Sequence, residues 1–281
     1  MKKLSSILLL TLALAFFSAC EENVPVPPIA ETEAPDLPVA EMYTMPFDEV
    51  TETETDTVNN QTQGVTYRNW AFAGINLLVW NTAVVINVSV PLAAVGAAFN
   101  EQPVYQGNGV WEWSYVYTAP PALGGKTYDV VLTGEYILGA TEVEWTMTTS
   151  QRGGFSNFEW ITAVTKVDGS EADFTINHRP NNPQSYLMIE YDKDLGSVLH
   201  QIRYTNVNPS SNTTGGYVEY RATSNSPFNR EFEVGAGPIN PTNILEIQWN
   251  EPNGNGRVRN EQHYNDTDWH CWDTLLRDTN C

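Results

Sequence analysis

The residues with the most reactive side chains are few: three cysteines and four histidines in 281 residues. His178, His200, His263 and His270 fall in no H-E-x-x-H or comparable ligand spacing. One adjacent pair, His270-Cys271, without a second spaced pair is far from a zinc pattern. The chain holds no G-x-S-x-G elbow, phosphate loop or dinucleotide fingerprint. Acidic residues are so abundant that a glycosidase-like carboxylate pair carries no information. Asp266, Asp268, Asp273 and Asp278 could offer oxygen ligands to calcium, but the stretch lacks the Gly and terminal Glu of an EF-hand loop and reads as a solvated acidic turn. Expected, therefore, are no catalytic residues, no metal and no cofactor.

The third cysteine has a different setting. Lys2 and Lys3 precede an apolar run from Ile7 to Phe17, then Phe17-Ser18-Ala19-Cys20, the layout of a cleaved secretory signal. The tetrapeptide resembles the lipobox of bacterial lipoproteins, with Phe where Leu is usual. That resemblance implies a signal peptide over 1–19 and acylation of Cys20, palmitate included, and two lipid signals already suffice for stable anchoring. Glu21 and Glu22 follow, an acidic pair similar to the surface-export signal of Bacteroidota lipoproteins. The implied address is the outer membrane, lipid-anchored, extending to the cell surface. Cys271 and Cys281 are then an even pair in an exported chain, read as a disulfide.

From Cys20 to Gln63 the chain carries eleven acidic residues and no Lys or Arg. Pro, Glu and Thr dominate, and such a segment cannot bury enough apolar surface to offset its ordering entropy. It reads as a disordered tether, with Val39 to Val50 able to dock as a short arm. Asp56-Thr57-Val58 matches the short O-glycosylation pattern of exported Bacteroidota proteins, which marks Thr57; Asp273-Thr274-Leu275 matches it by chance. The net charge of −20 argues against nucleic acid and anionic headgroups as partners.

Residues 64–281 are long enough for a single domain with a sizeable core. Its organising stretch is Asn69 to Asn100, thirty-two residues without one charged side chain. Apolar residues fill nearly every turn, so the expectation is a buried helix over about 66–99, with Asn69, Asn76 and Asn87 forming a narrow polar seam. Pro91 is expected to kink or stop it near Ser89, leaving a second short helix.

Past Glu101 the pattern alternates. Trp111, Trp113, Tyr115 and Tyr117 point one way while Glu112, Ser114, Val116 and Thr118 point the other. Those aromatics read as core against the helix, with sugar stacking as the alternative use. Similar runs separated by Gly, Pro, Asn and Asp continue to Tyr264, the last being Arg257 to Tyr264. The fold class expected is mainly β: an antiparallel meander of about ten or eleven strands, curled into a barrel or half-barrel around the N-terminal apolar helix.

A helix followed by a long meander, in a lipoprotein, resembles the half-barrel of LolA and LolB, the lipoprotein-carrying proteins of the bacterial envelope. The resemblance is architectural, and no motif residue carries over. The whole chain also resembles Bacteroidota lipoproteins that end in a Cys-Trp-Asp element, here Cys271-Trp272-Asp273, which brings no activity with it. Three functions follow as expectations: a non-enzymatic structural or interaction module with an envelope-protein partner, a carrier of a lipid or other apolar ligand, and a glycan-binding module.

Overall fold

Alternation of apolar and polar side chains decides the architecture, because successive strand residues face opposite sides of a sheet. A computed structural model describes residues 33–45, 65–137 and 139–281. The signal peptide, Cys20 and Thr57 lie outside the described residues. Among the described residues, fourteen strands follow one long helix: β1 (Val104–Gly107), β2 (Val110–Thr118), β3 (Thr127–Ile137), β4 (Glu142–Gln151), β5 (Phe158–Lys166), β6 (Glu171–Arg179) and β7 (Asn182–Leu195). Then come β8 (Val198–Asn206), β9 (Tyr217–Thr223), β10 (Arg230–Gly235), β11 (Ile244–Trp249), β12 (Gly256–Arg259), β13 (His270–Trp272) and β14 (Asp278–Thr279). Each pairs antiparallel with its sequence neighbour, giving one meander in chain order.

The register aligns one buried row across ten strands. Trp111 faces Gly134, Trp145, Ala163 and Phe174 in succession, and the row continues through Ile189, Tyr204, Val218, Val234 and Leu245. Nearly all of these side chains are buried. Each large apolar member contributes roughly 1.5–3 kcal/mol by leaving water. Gly134 belongs to the row because a Cβ there would meet the Trp145 ring at 2.7 Å.

The sheet is mainly β as expected, but it is not closed into a barrel: β1 pairs with β2 alone and β14 with β13 alone. Three short strands, β1, β13 and β14, exceed the expected ten or eleven. They are too short for an alternating pattern to register. The expected strand from Arg257 to Tyr264 stops at Arg259. Asn260 ends it by capping a one-turn helix, α2 (Glu261–Tyr264), its side-chain oxygen accepting the His263 N–H at 2.9 Å.

The charge-free stretch forms one helix, α1 (Arg68–Ala97). The helix runs through Pro91, so neither the expected stop near Ser89 nor a separate second helix occurs. Pro91 is buried, and packing on both sides of it outweighs the lost hydrogen bond. Ala73, Leu77, Leu92 and Val95 are buried, whereas Ile75, Leu78 and Val79 are more than half exposed. The helix is therefore apolar on a solvent-facing side too, and not buried all round as its composition suggested.

Its N-terminus is held by the last strand. The Asp278 carboxylate accepts the Arg68 N–H at 3.1 Å, the Asn69 N–H at 2.9 Å and the Thr66 hydroxyl at 2.5 Å. A carboxylate there satisfies orphan donors and complements the helix dipole. Asp278→Ala is expected to lower stability by about 1–2 kcal/mol, read from the urea midpoint. Asp278→Asn should recover part of it.

Residues 33–45, within the stretch read as disordered tether, are packed on the sheet. Pro35 sits close to Gly134, and Met42 close to Gly169 in the β5–β6 turn. Tyr43 meets Phe174 edge to face, and its carbonyl accepts the Tyr204 hydroxyl at 2.7 Å. Met42, Tyr43 and Met45 are all buried, which gives this part of the tether the apolar burial its overall composition lacks.

Candidate functional site: a cleft under the helix

Midway along α1 the helix and sheet separate. Phe72, Trp80 and Val88 of the helix face Leu187, Tyr204, Val218, Val234 and Leu245 across a cleft of about 590 Å³. That size lies in the range of small-molecule sites, roughly 300–1,000 Å³. The strands supply this wall because inner-face positions of β7 to β11 carry branched aliphatic or aromatic residues in register. Val218 and Val234, smaller than the Tyr204 and Leu245 that flank them in the row, lie on the sheet side of the gap.

The Asn260 cap positions one rim. It donates to the Ile244 carbonyl at 3.0 Å and holds α2 so that the His263 ring stacks on Phe72, centroids 3.8 Å apart. Tyr264 meets both of those rings edge on and itself stacks on His270 at 3.6 Å, and its hydroxyl donates to the Asn69 side-chain Oδ1 at 3.3 Å. Among the described lining residues are no Asp, Glu, Lys or Arg; the polar groups are neutral amides, hydroxyls and one imidazole. A smaller void of about 350 Å³ adjoins it, between Tyr43 and Met45 of the docked arm and Leu92 of the helix, and shares Val88 and Tyr204 with the cleft.

Tyrosines on both faces of the sheet are held protonated: Tyr115, Tyr191 and Tyr204 on the inner face, and Tyr217 on the outer face beside Glu233 and Arg203. Burial raises Tyr204 and Tyr115 well above the ordinary range. Burial, with Glu41 nearby, pushes Tyr191 to about 12, and burial with the Glu233 hydrogen bond does the same to Tyr217. A raised acid pKa means the folded state binds the proton more tightly. The stability it contributes is complete below the unfolded tyrosine value of about 10 and declines as pH rises through the folded values. Urea midpoints are thus expected to fall steadily from about pH 10 upward; a flat profile to pH 12 would contradict these burial assignments.

The four aromatics expected on β2 are there, outside this cleft. Trp111, Trp113 and Tyr115 are buried and Tyr117 partly so, stacked on Tyr128. The Tyr115 hydroxyl donates to the Ala94 carbonyl at 2.6 Å, so the ladder packs against the far end of α1 and offers no exposed sugar platform.

Cys271 and Cys281 are bonded, with Cα atoms 5.3 Å apart. Closing so short a loop is worth about 2–3 kcal/mol in the chain-entropy model, and Cys281→Ser is expected to lower stability by that amount under oxidising conditions. The same substitution should have no effect once the protein is reduced. The tail acids are engaged singly: Asp266 with His270 at 3.0 Å, Asp273 with Arg277 at 2.6 Å, and Asp278 at the helix. Among the described residues no group of His, Cys, Asp and Glu is arranged to hold a metal ion.

On the outer face, Glu219 is 4% exposed, between Arg203 at 3.0 Å and Arg221, which reaches on to Glu231 at 3.0 Å. Arg257 and Arg259 lie over the Trp269 ring at 4.2 and 4.6 Å. These arginines are neutralised or covered, and form no basic patch.

The cleft residues were missed by sequence reasoning because they come from α1, five strands, the β8–β9 and β10–β11 connections and α2, with no linear motif. The one available signal was Val218 paired with Val234 on the inner face of β9 and β10, between the larger Tyr204 and Leu245. No protein-family model, curated protein or solved structure matches the chain.

Proposed function

We propose that this domain binds an apolar small molecule in the cleft between α1 and the sheet, and does so as an exported protein anchored to the outer membrane through lipid on Cys20. The cleft itself carries the reading: an open concavity of about 590 Å³ with a mostly apolar wall and a few neutral polar groups has the size and lining of a small-molecule site.

Curvature of the sheet into a half-barrel around α1 supports it. The Asn69 amide donates to the Cys271 carbonyl in β13, while Ala94 accepts from Tyr115 in β2. The helix between them spans about 38 Å at 1.5 Å per residue. Eleven flat strand spacings from β2 to β13 would span about 53 Å. A half-barrel curl accounts for both contacts.

The test is direct. The mature chain, expressed without its signal, is expected to carry apolar ligand in native mass spectrometry, or, once stripped, to bind the uncharged fluorophore N-phenyl-1-naphthylamine. An empty protein that fails to bind the fluorophore refutes the reading. Cys20→Ala should release the protein from membranes; continued membrane retention would refute the anchor.

A second reading, a non-enzymatic interaction module, draws on Ile75, Leu78 and Val79, whose exposure leaves one side of α1 uncovered. It predicts unchanged partner capture after the cleft is filled.

A further inference from the structure

We infer that the cleft selects an uncharged single-chain amphiphile, an alkyl body with a small hydroxylated head, and rejects fatty-acid anions and long-chain cations. The inference rests on the apolar-cleft reading above. Size sets the scale: about 590 Å³ holds about 20 water-sized groups at roughly 30 Å³ each, an alkyl chain of about a dozen carbons with a compact head.

Charge sets the class. A carboxylate or ammonium taken into this cleft meets no opposite charge among the described lining residues, and an unpaired charge out of water is strongly disfavoured. The chain's net charge of −20 adds repulsion for anions. A cation is drawn toward the protein by the same field but finds no carboxylate inside.

Neutral hydrogen-bonding groups are nevertheless present, which separates this cleft from a site for a plain hydrocarbon. The Asn76 Nδ2 group donates back to the Phe72 carbonyl at 2.8 Å, leaving Oδ1 as an acceptor with no partner among the described residues. Asn243 accepts the Asn260 amide on its Oδ1 at 3.2 Å, leaving Nδ2 as a donor. Donor and acceptor on opposite walls suit a head of hydroxyl groups, each able to give and take one hydrogen bond.

The experiment displaces N-phenyl-1-naphthylamine from the mature chain at pH 8 with 1-monolauroylglycerol, laurate and dodecyltrimethylammonium, each below its micelle concentration. The glyceride is expected to displace the fluorophore at a concentration at least tenfold below either charged chain. Asn76→Leu, checked for folding by circular dichroism, should shrink that preference about fivefold, the worth of one hydrogen bond. Laurate or the cation displacing as well as the glyceride overturns the inference while leaving the apolar cleft standing. Loss of fluorophore binding in the wild-type protein removes both.

Discussion

Val234→Trp combined with Leu245→Phe is expected to cut the affinity for N-phenyl-1-naphthylamine at least tenfold while the domain stays folded. The two positions face each other across β10 and β11 and both line the cleft. Enlarging a side chain in a well-packed core costs about 1–3 kcal/mol, because neighbours must leave their rotamers. Here the added rings have an existing void to enter, so stability should hold or rise. Both replacements also suit a half-buried strand. Val116→Trp, on the exposed outer face of β2, supplies the control and should leave binding unchanged. Undiminished binding by the filled variant would place the ligand elsewhere.

The largest loss of stability is expected from Trp145→Ala, about 3–5 kcal/mol, read as a fall in the urea midpoint. Trp145 is 2% exposed and stands in the buried row between Gly134 and Ala163. Its indole N–H donates to the Thr165 hydroxyl at 2.9 Å, and its ring lies 5.7 Å from that of Trp113. Gly134 is shaped to it, and Pro35 of the docked arm covers the same spot. Removing the ring empties a cavity that several strands share and orphans the Thr165 hydroxyl, 5% exposed as a residue. Trp145→Phe keeps most of the volume and should cost less than half as much. With total stabilities of about 5–15 kcal/mol for domains generally, the alanine variant would stand near the folding threshold. A drop below 1 kcal/mol would mean the row is not the continuous core described.

Much of the fold was legible in the chain. Strands such as Tyr217–Thr223 and Ile244–Trp249 stand where alternation placed them, because one face is buried and a one-residue slip would turn the whole set outward. The short β13 and β14 were not, since two or three residues show no period. Their pairing is imposed by the Cys271–Cys281 bond and by Asp278 holding the helix start. Pro91 reads locally as a helix breaker, yet the burial of Leu92, Ala94 and Val95 beyond it outweighs that tendency.

The sequence alone determined that the domain is a meander of half-buried strands preceded by a charge-free segment. Periodicity and the placement of Gly, Pro, Asn and Asp are local properties that any observer of the chain can read. Only the tertiary structure decided that the sheet stays open, that residues 33–45 return to pack on it, and that a cleft lies between the helix and the inner face of β7 to β11. A void is a property of distances between elements far apart in the chain, here one helix and the inner faces of β7 to β11. No single residue carries it.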